Sequence, residues 1–460
     1  MKIIVFGLGD IYNKVKHYFY QEKTEIVALI DNNQILFGTL IDGYKVDDPK
    51  HIQNYQYDYI VVTSNYAVEM KRQLIEFGVF PDKIIHYGDF LGRFPITAEE
   101  SLSGVRCSGV LILSNGLGYH GGSMTCMTLA RILSQNGYKI TLAIPSADQK
   151  FLDEISSEES IKVIIIENLE FLSEENLEWT NGYTYILANT FEMVRCAVKL
   201  ARKRKVYLWL HESMDTYIAY EYWHEEIANG LENDKLIIGA VSDVAKSNFL
   251  SKYLKKKKVE LLPYGIDDRY LEKDFRIGKR IITFTIIALH IPLKGLDVLF
   301  DALQHIPTEA GNQCRFLFVG KTFDNDYGKS IINHIDKNTN CKYLGELSRE
   351  EVFDVYSETD ILIIPSRRDS LPLVATEGMM LKKPCIISDT VGTARYIKHK
   401  YNGLIFENEN SRELAGVICW CLKNREALQV IAENARKTYE TWFTMEKFEA
   451  RTMDVIRELS

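Results

Sequence analysis

Short apolar runs along the chain alternate with glycine-bearing loops and with stretches whose apolar residues recur at i, i+3, i+4 and i+7. The runs predict buried strands and the recurrences predict amphipathic helices. Their alternation over most of the chain predicts α/β units, with parallel sheets covered on both faces. Lys2–Gly9 reads as a strand entering a glycine turn, Glu25–Asp31 as a second strand ending in an acid, and Tyr57–Thr63 as a third. Val110–Ser114 is a further strand. After the loop Asn115–Gly122 comes a helix with Cys126, Leu129, Ala130 and Leu133 on one face and Gly137 as its stop. Leu296, Leu299, Phe300 and Leu303 make another such face just after Lys294-Gly295. A buried strand begins near Asp360, and a helix starts near Pro372.

Two stretches, Tyr87–Gly109 and Leu262–Arg280, gather glycine, proline, serine or charge and read as boundaries. They leave segments of about 95, 165 and 180 residues, each long enough for its own core. The expected division is 1–100, 105–270 and 271–440, with 441–460 a C-terminal helix packing back on the N-terminal side.

Composition changes this picture little. At roughly 150 residues per domain, a chain of 460 residues suggests about three domains. Apolar residues make up 46% and charged residues 26%, the balance of a soluble globular chain. A net charge of −8 argues against binding nucleic acid by counter-ion release. The uncharged run Ile281–Leu293 falls short of the roughly 18 apolar residues of a spanning helix, and Met1–Gly9 meets Asp10 at once, as a strand would and a signal peptide would not. Eight cysteines are scattered without a CxxC pair, and Cys419 and Cys421 fall on different helix faces. Reduced, partly buried thiols in a cytoplasmic protein are expected.

Four places carry candidate chemistry. Gly7, Gly9 and the acid Asp31 make half of a dinucleotide-binding unit, but Tyr12 stands where a third glycine would. The pattern fits a nucleotide site or a fold that kept its turn glycines. Gly121-Gly122 lies at a helix N-terminus, where free N–H groups attract an anion, or is simply a tight turn. Lys294 precedes a helix start, where a cation is disfavoured unless an anion joins it; a solvated lysine is the alternative. Glu377 shares a helical stripe with Leu373 and Met380, so its carboxylate needs donors, which a ribose diol or a neighbouring arginine would supply. Asp324-Asn-Asp326 has the spacing of a metal-binding pair but reads as an exposed turn.

Taken in order, these elements resemble a known family. From about Val110 onward the chain is similar to the family-four retaining glycosyltransferases of the GT-B fold. The resemblance rests on Gly121-Gly122, Leu210-His211-Glu212, Val241-Ser242, Pro263-Tyr-Gly-Ile-Asp267, Lys294-Gly295, Phe318-Val-Gly320, Tyr343-Leu-Gly345, the Asp369–Glu377 element and Asn402-Gly403. It departs in two places: Asp369 stands for the family's first glutamate, and Leu289, beside His290, stands for its phosphate-binding arginine. The first segment resembles the small nucleotide-binding domain ahead of bacterial sugar acyltransferases, on Phe6-Gly-Leu-Gly9, Ile30-Asp-Asn32 and Gln73-Leu74.

The resemblance implies an α/β chain with two facing Rossmann-like domains preceded by a small Rossmann-like domain. It implies a retaining, hexosyltransferase-type enzyme moving sugar from a nucleotide-sugar donor to a glycan or lipid-linked acceptor in bacterial surface polysaccharide synthesis. Glu377 would hold the ribose, and Lys294 with Gly121 and Gly122 the diphosphate. Asp369 with Ser370, Leu371 and Leu373 would hold the sugar. His211 would face donor sugar and acceptor, and with Asp369 and Lys294 it completes the expected catalytic set. No metal or other cofactor is expected, since N–H groups and Lys294 can stabilise the leaving diphosphate. Peripheral contact with the inner membrane face is expected, with Arg202–Lys205 and Lys255–Lys258 as basic clusters. A non-catalytic partner subunit and a GT-B sugar-nucleotide epimerase are the competing readings, and a nucleotide sensor or oxidoreductase run by the first segment is a weaker one.

Overall fold

The computed structural model describes residues 1–20, 23–94, 109–118, 121–253, 257–270 and 281–460. Much of both predicted boundaries, together with Cys107, His120 and Lys255–Lys256, lies outside the described residues. The chain divides into two compact units, Met1–Tyr119 with Asn136–Leu208 and Met214–Ile237, and His120–Gln135 with Trp209–Ser213 and Ile238–Ser460.

Three sheets follow one another. The first contains β1 (Lys2–Phe6), β2 (Glu25–Ile30), β3 (Leu40–Ile41), β4 (Tyr44–Asp47), β5 (Tyr59–Val62) and β6 (Ile84–His86). Their order is β3-β4-β2-β1-β5-β6, parallel except for the β3–β4 hairpin. The period-2 alternation of β1 explains its burial on both sides: Ile3 and Val5 join one hydrophobic core, Ile4 and Phe6 the other. Tyr12, at the missing glycine position, is fully buried in the first of these cores and donates to Asp42 Oδ2 at 2.8 Å.

The second sheet contains β7 (Val110–Ser114), β8 (Ile140–Ile144), β9 (Ile161–Ile165), β10 (Tyr185–Asn189), β11 (Val206–Leu210), β12 (Leu236–Ala240) and β13 (Val259–Leu261), in the order β13-β12-β11-β10-β7-β8-β9. The third contains β14 (Ile282–Ile287), β15 (Cys314–Val319), β16 (Cys341–Gly345), β17 (Ile361–Ile364), β18 (Cys385–Ser388) and β19 (Leu404–Phe406). It is wholly parallel, in the order β16-β15-β14-β17-β18-β19. Helix Leu296–Gln304 lays Leu296, Leu299 and Phe300 into the core of this sheet, as its periodicity predicts.

The order of the third sheet matters for chemistry. The order in which strands are added reverses between β14 and β17, which pair in parallel through Phe284↔Ile361 and Thr285↔Leu362. The loops leaving the carboxyl ends of such a strand pair diverge and open a crevice. One of them carries Lys294 and the other carries Asp369.

The C-terminal helix Met445–Leu459 packs on helix Gly121–Gln135, and Phe448 lies 5.6 Å, centroid to centroid, from Trp209. The stretch before it clasps the 263–267 link: Ile266 N donates to Phe443 O at 2.9 Å, and Tyr439 Oη to Ile266 O at 2.9 Å. Among the described residues no helix is long and apolar enough to cross a membrane. The described cysteines are all unpaired, and Cys421 is buried while Cys419 is half-buried.

Candidate functional site

Lys294 sits in a turn, Pro292–Lys294, ended by Gly295 at φ +66°. A Cβ on Gly295 would stand 2.1 Å from Pro365 O, so only glycine lets this turn lie against the end of β17. Arg367 fastens the same turn. Its guanidinium makes a bidentate pair with Asp297 (Nη1–Oδ1 2.9 Å, Nη2–Oδ2 2.6 Å), reaches Glu409 Oε1 at 2.7 Å, and donates to Pro292 O at 2.5 Å. The consequence is a fixed meeting: Lys294 Nζ donates to Asp369 Oδ2 at 2.5 Å, with both side chains mostly buried.

The segment after Asp369 is held as closely. Gly392 N donates to Asp369 O at 2.8 Å, and a Cβ on Gly392 would fall 1.6 Å from Ser370 O. The buried Tyr264 hydroxyl donates to Leu371 O. Ser370 and Leu371 are buried, and helix Leu373–Met380 follows with Pro372 as its N-cap. The first residue of that helix faces the glycine pair, since a Cβ on Gly121 would lie 3.9 Å from Leu373 Cδ1. Gly121 and Gly122 open the 15-residue helix Gly121–Gln135, and its first N–H groups have no intrahelical acceptor. Lys294 and Asp369 are thus joined directly, Ser370, Leu371 and Leu373 follow Asp369 in the chain, and Gly121 faces Leu373.

Glu377 lies one helical turn further and is buried. Tyr356 donates to its Oε2 at 2.6 Å, and burial holds that phenol's pKa well above its ordinary value, so it stays a donor. Arg349 Nη2 approaches Oε1 to 3.0 Å without hydrogen-bond alignment, leaving Oε1 enclosed and with no donor among the described residues. Glu377 does not touch Lys294 or Asp369.

His211 stands apart from these contacts. Its ring packs on Trp209 (centroids 4.3 Å), and Nε2 is enclosed without a hydrogen-bond partner among the described residues. Burial pushes its pKa down to about 3, so the imidazole is neutral at physiological pH. At the position without the expected arginine, Leu289 is exposed. The neighbouring His290 is fully buried, with Nδ1 2.7 Å from Thr322 Oγ1 and a pKa pushed down to about 4 by burial. Asp324 is a solvated turn residue paired with Lys329 at 2.9 Å.

Gly7, Gly9 and Asp31 come together at a separate cavity of about 540 Å³ beside the carboxyl ends of β1, β2 and β5, where the first sheet reverses direction. Asp31 Oδ2 accepts from Leu8 N at 2.7 Å and Oδ1 from Asn33 N at 2.8 Å. The acid therefore fixes the glycine turn, and each oxygen keeps a second lone pair for a hydroxyl. Asn32 and Gln73 cross the rim with a reciprocal amide pair at 3.0 and 2.9 Å.

Sequence reasoning missed Arg367, Tyr356 and Arg349. Each acts on a residue distant in the chain, and a lone arginine or tyrosine carries no pattern that would single it out.

Residues 271–438 match the family of glycosyl transferases group 1, and residues 1–85 match the C2185-like N-terminal family. An uncharacterized glycosyltransferase of Methanocaldococcus jannaschii is 30% identical over 232 residues, 50% of this chain and 60% of that protein. The N,N'-diacetylbacillosaminyl-diphospho-undecaprenol alpha-1,3-N-acetylgalactosaminyltransferase of Campylobacter jejuni is 23% identical over 206 residues, 45% of this chain and 50% of that one. The matches span about half the length of these curated relatives. Among solved structures, Anabaena HepE in complex with UDP and glucose superimposes with a TM-score of 0.64 at 18% identity, over 76% of this chain and 99% of that one. Residues 271–438 are thus similar to the group 1 glycosyl transferases, and the chain has the GT-B fold, preceded by the six-stranded N-terminal sheet.

Proposed function

We propose that this chain is a retaining, hexosyltransferase-type glycosyltransferase that moves a sugar from a nucleotide-sugar donor to a glycan or lipid-linked acceptor in bacterial surface polysaccharide synthesis. The observation that carries the reading is the Lys294–Asp369 contact, set in the crevice of the third sheet inside the group 1 domain. A diphosphate and the sugar it bears are adjacent groups of one donor. A cation and a sugar-binding carboxylate that touch each other match that adjacency.

In this reading Lys294 and the N–H groups of Gly121 and Gly122 bind the donor phosphates, without a metal, and stabilise charge on the leaving diphosphate. Asp369 and the 370–373 backbone orient the sugar. Oε1 of Glu377, which lies 3.0 Å from Arg349 and has no hydrogen-bond donor among the described residues, accepts from a ribose hydroxyl while Tyr356 holds Oε2. His211, neutral and with a free ring nitrogen, polarises the acceptor hydroxyl. HepE, which shares the fold and was solved in complex with UDP and glucose, supports the donor class, and the Campylobacter enzyme, named for a diphospho-undecaprenol acceptor, supports a lipid-linked acceptor. The decisive experiment screens the purified chain against a panel of nucleotide sugars for thermal shift and for release of nucleoside diphosphate. A donor that shifts the melting point and is hydrolysed or transferred supports the assignment. Binding without turnover across the panel favours a non-catalytic partner, and recovery of an epimerised nucleotide sugar favours an epimerase.

A further inference from the structure

A second charged cavity lies in the first compact unit. It has a volume of about 370 Å³ and sits among the end of the first domain (Asp89–Arg93), the turn near Phe171 and helix Val194–Ala201. Four cations line it, Arg93, Arg195, Lys199 and Arg202, against the two carboxylates Asp89 and Glu174.

The arrangement is costly without another anion. Arg195 is 5% exposed, and the Trp223 ring covers one face of its guanidinium at 4.4 Å. Asp89 and Glu226 both take the same nitrogen, Nη2, at 2.8 and 3.1 Å. Nε and Nη1 are left enclosed with no acceptor among the described residues. Lys199 follows at i+4 on the same helix, and like charges at that spacing repel. Its ammonium donates to Leu172 O at 2.8 Å, and no carboxylate among the described residues forms an ion pair with it. Burial and the nearby Arg195 both push its pKa down, which marks a cation held where positive charge is unfavourable. Arg202, at the rim, pairs with Glu174 at 2.7 Å, so Glu174 does not relieve Lys199. The carboxylates present are thus spent on Arg202 and on one nitrogen of Arg195.

We propose that this cavity is a binding site for a phosphoryl group, separate from the donor site. A phosphoryl dianion offers three acceptor oxygens to cations arriving from two elements, where one more carboxylate would offer two. Its source is a soluble phosphate compound or a phospholipid headgroup.

The test uses the full chain and inorganic phosphate, with chloride at matched ionic strength as control. Expected is a saturable rise in melting temperature of a few degrees, kept in Lys294→Ala, which removes the donor-site cation, and lost in Lys199→Met. Should Lys199→Met not fold, the exposed pair Arg93→Gln with Arg202→Gln weakens phosphate binding at least tenfold in the same assay. A parallel arm sediments the chain with phosphatidylcholine vesicles with or without phosphatidylglycerol. Phosphate binding assigns a soluble source. Capture by phosphatidylglycerol vesicles without a phosphate response, lost in the same variants, assigns a headgroup. Absence of both responses, or responses that these variants leave unchanged, overturns the proposal.

Discussion

Lys294 Nζ and Asp369 Oδ2 meet at 2.5 Å although 75 residues separate them in the chain. The two loops that bring them together leave the paired strands β14 and β17, and each is locked by a contact from the other: Gly295 against Pro365 O, and Arg367 against Asp297 and Pro292 O. Under the proposed function, a donor would meet an ion pair already formed, and the ammonium would be shared with the phosphates while the carboxylate turns to the sugar.

Lys294→Ala is expected to weaken nucleotide-sugar affinity and to lower turnover by at least an order of magnitude. That matches loss of a charge-assisted contact of about 1.5–3 kcal/mol, with Asp369 left unpaired in a mostly buried position. Titration calorimetry and steady-state kinetics on the folded variant would show it, and unchanged kinetics would remove Lys294 from the site.

Arg367 positions Lys294 without being placed against the donor. Arg367→Met keeps much of the side-chain volume but removes the bidentate pair and the contact to Pro292 O. It should raise KM for the donor several-fold more than it lowers kcat, and cost about 1–3 kcal/mol of stability. Equal losses in both kinetic constants would instead place the guanidinium in the reaction itself.

Gly392→Ala is expected to disable the 369–373 segment. The added methyl would start 1.6 Å from Ser370 O and 2.7 Å from Ser242 Oγ, so the backbone has to move. A loss of about 2 kcal/mol or more is expected, with turnover falling further than stability alone explains. A variant with wild-type melting temperature and turnover would contradict the packing.

Three histidines make stability depend on pH. His86 and His211 are held to about 3 and His290 to about 4, in each case chiefly by burial, with Arg195 adding to the shift of His86. Between about pH 6.5 and 4 the unfolded chain binds protons at these sites and the folded chain does not. The contribution of these histidines is therefore full above pH 6.5 and falls as pH drops, by up to about 1.4 kcal/mol per pH unit for each, while the buried Glu170, raised to about 7 by burial, works in the opposite direction. Urea midpoints measured from pH 7 to pH 5 should decline, and His86→Gln with His290→Gln should flatten the decline. The neutral His211 should leave no limb in the activity profile within that range.

Where the fold was legible, period decided it. The apolar run Ile3–Phe6 and the i, i+3, i+4 spacing after Gly295 each report burial directly, and burial is what a central strand or a helix face requires. Lys294 and Glu377 stood out in the sequence as candidates because a charge is costly in those places without a partner, and the glycine pair at 121–122 because it opens a helix. Arg367 and Tyr356 did not. Their partners, Asp297 and Glu377, lie 70 and 21 residues away, and only the strand order of the third sheet brings them together. Asp31 was legible as an acid at a strand end, but its bonds to Leu8 N and Asn33 N, which give it a structural duty, follow from turn geometry that no spacing encodes.

The last prediction separates an active enzyme from a relic. If Asp369 accepts hydrogen bonds from the donor sugar, those bonds must strengthen as the ring gains positive charge on the way to the transition state. Asp369→Asn keeps the size and removes the charge, and it also breaks the ion pair with Lys294. It should lower turnover far more than donor affinity, because the lost interaction is greatest in the transition state. Asp369→Glu keeps the charge but adds a methylene in a pocket where Asp369 O is fixed by Gly392 N at 2.8 Å, so the carboxylate is displaced toward Lys294. Partial activity is expected, since misplacement of about 1 Å is costly without being fatal. Glu377→Ala should instead weaken nucleotide binding first, because a ribose contact is present both before and during reaction. If the wild type binds nucleotide but turns over no donor, and Asp369→Glu alone creates activity, then the chain has decayed at this residue and the catalytic assignment of Asp369 is wrong.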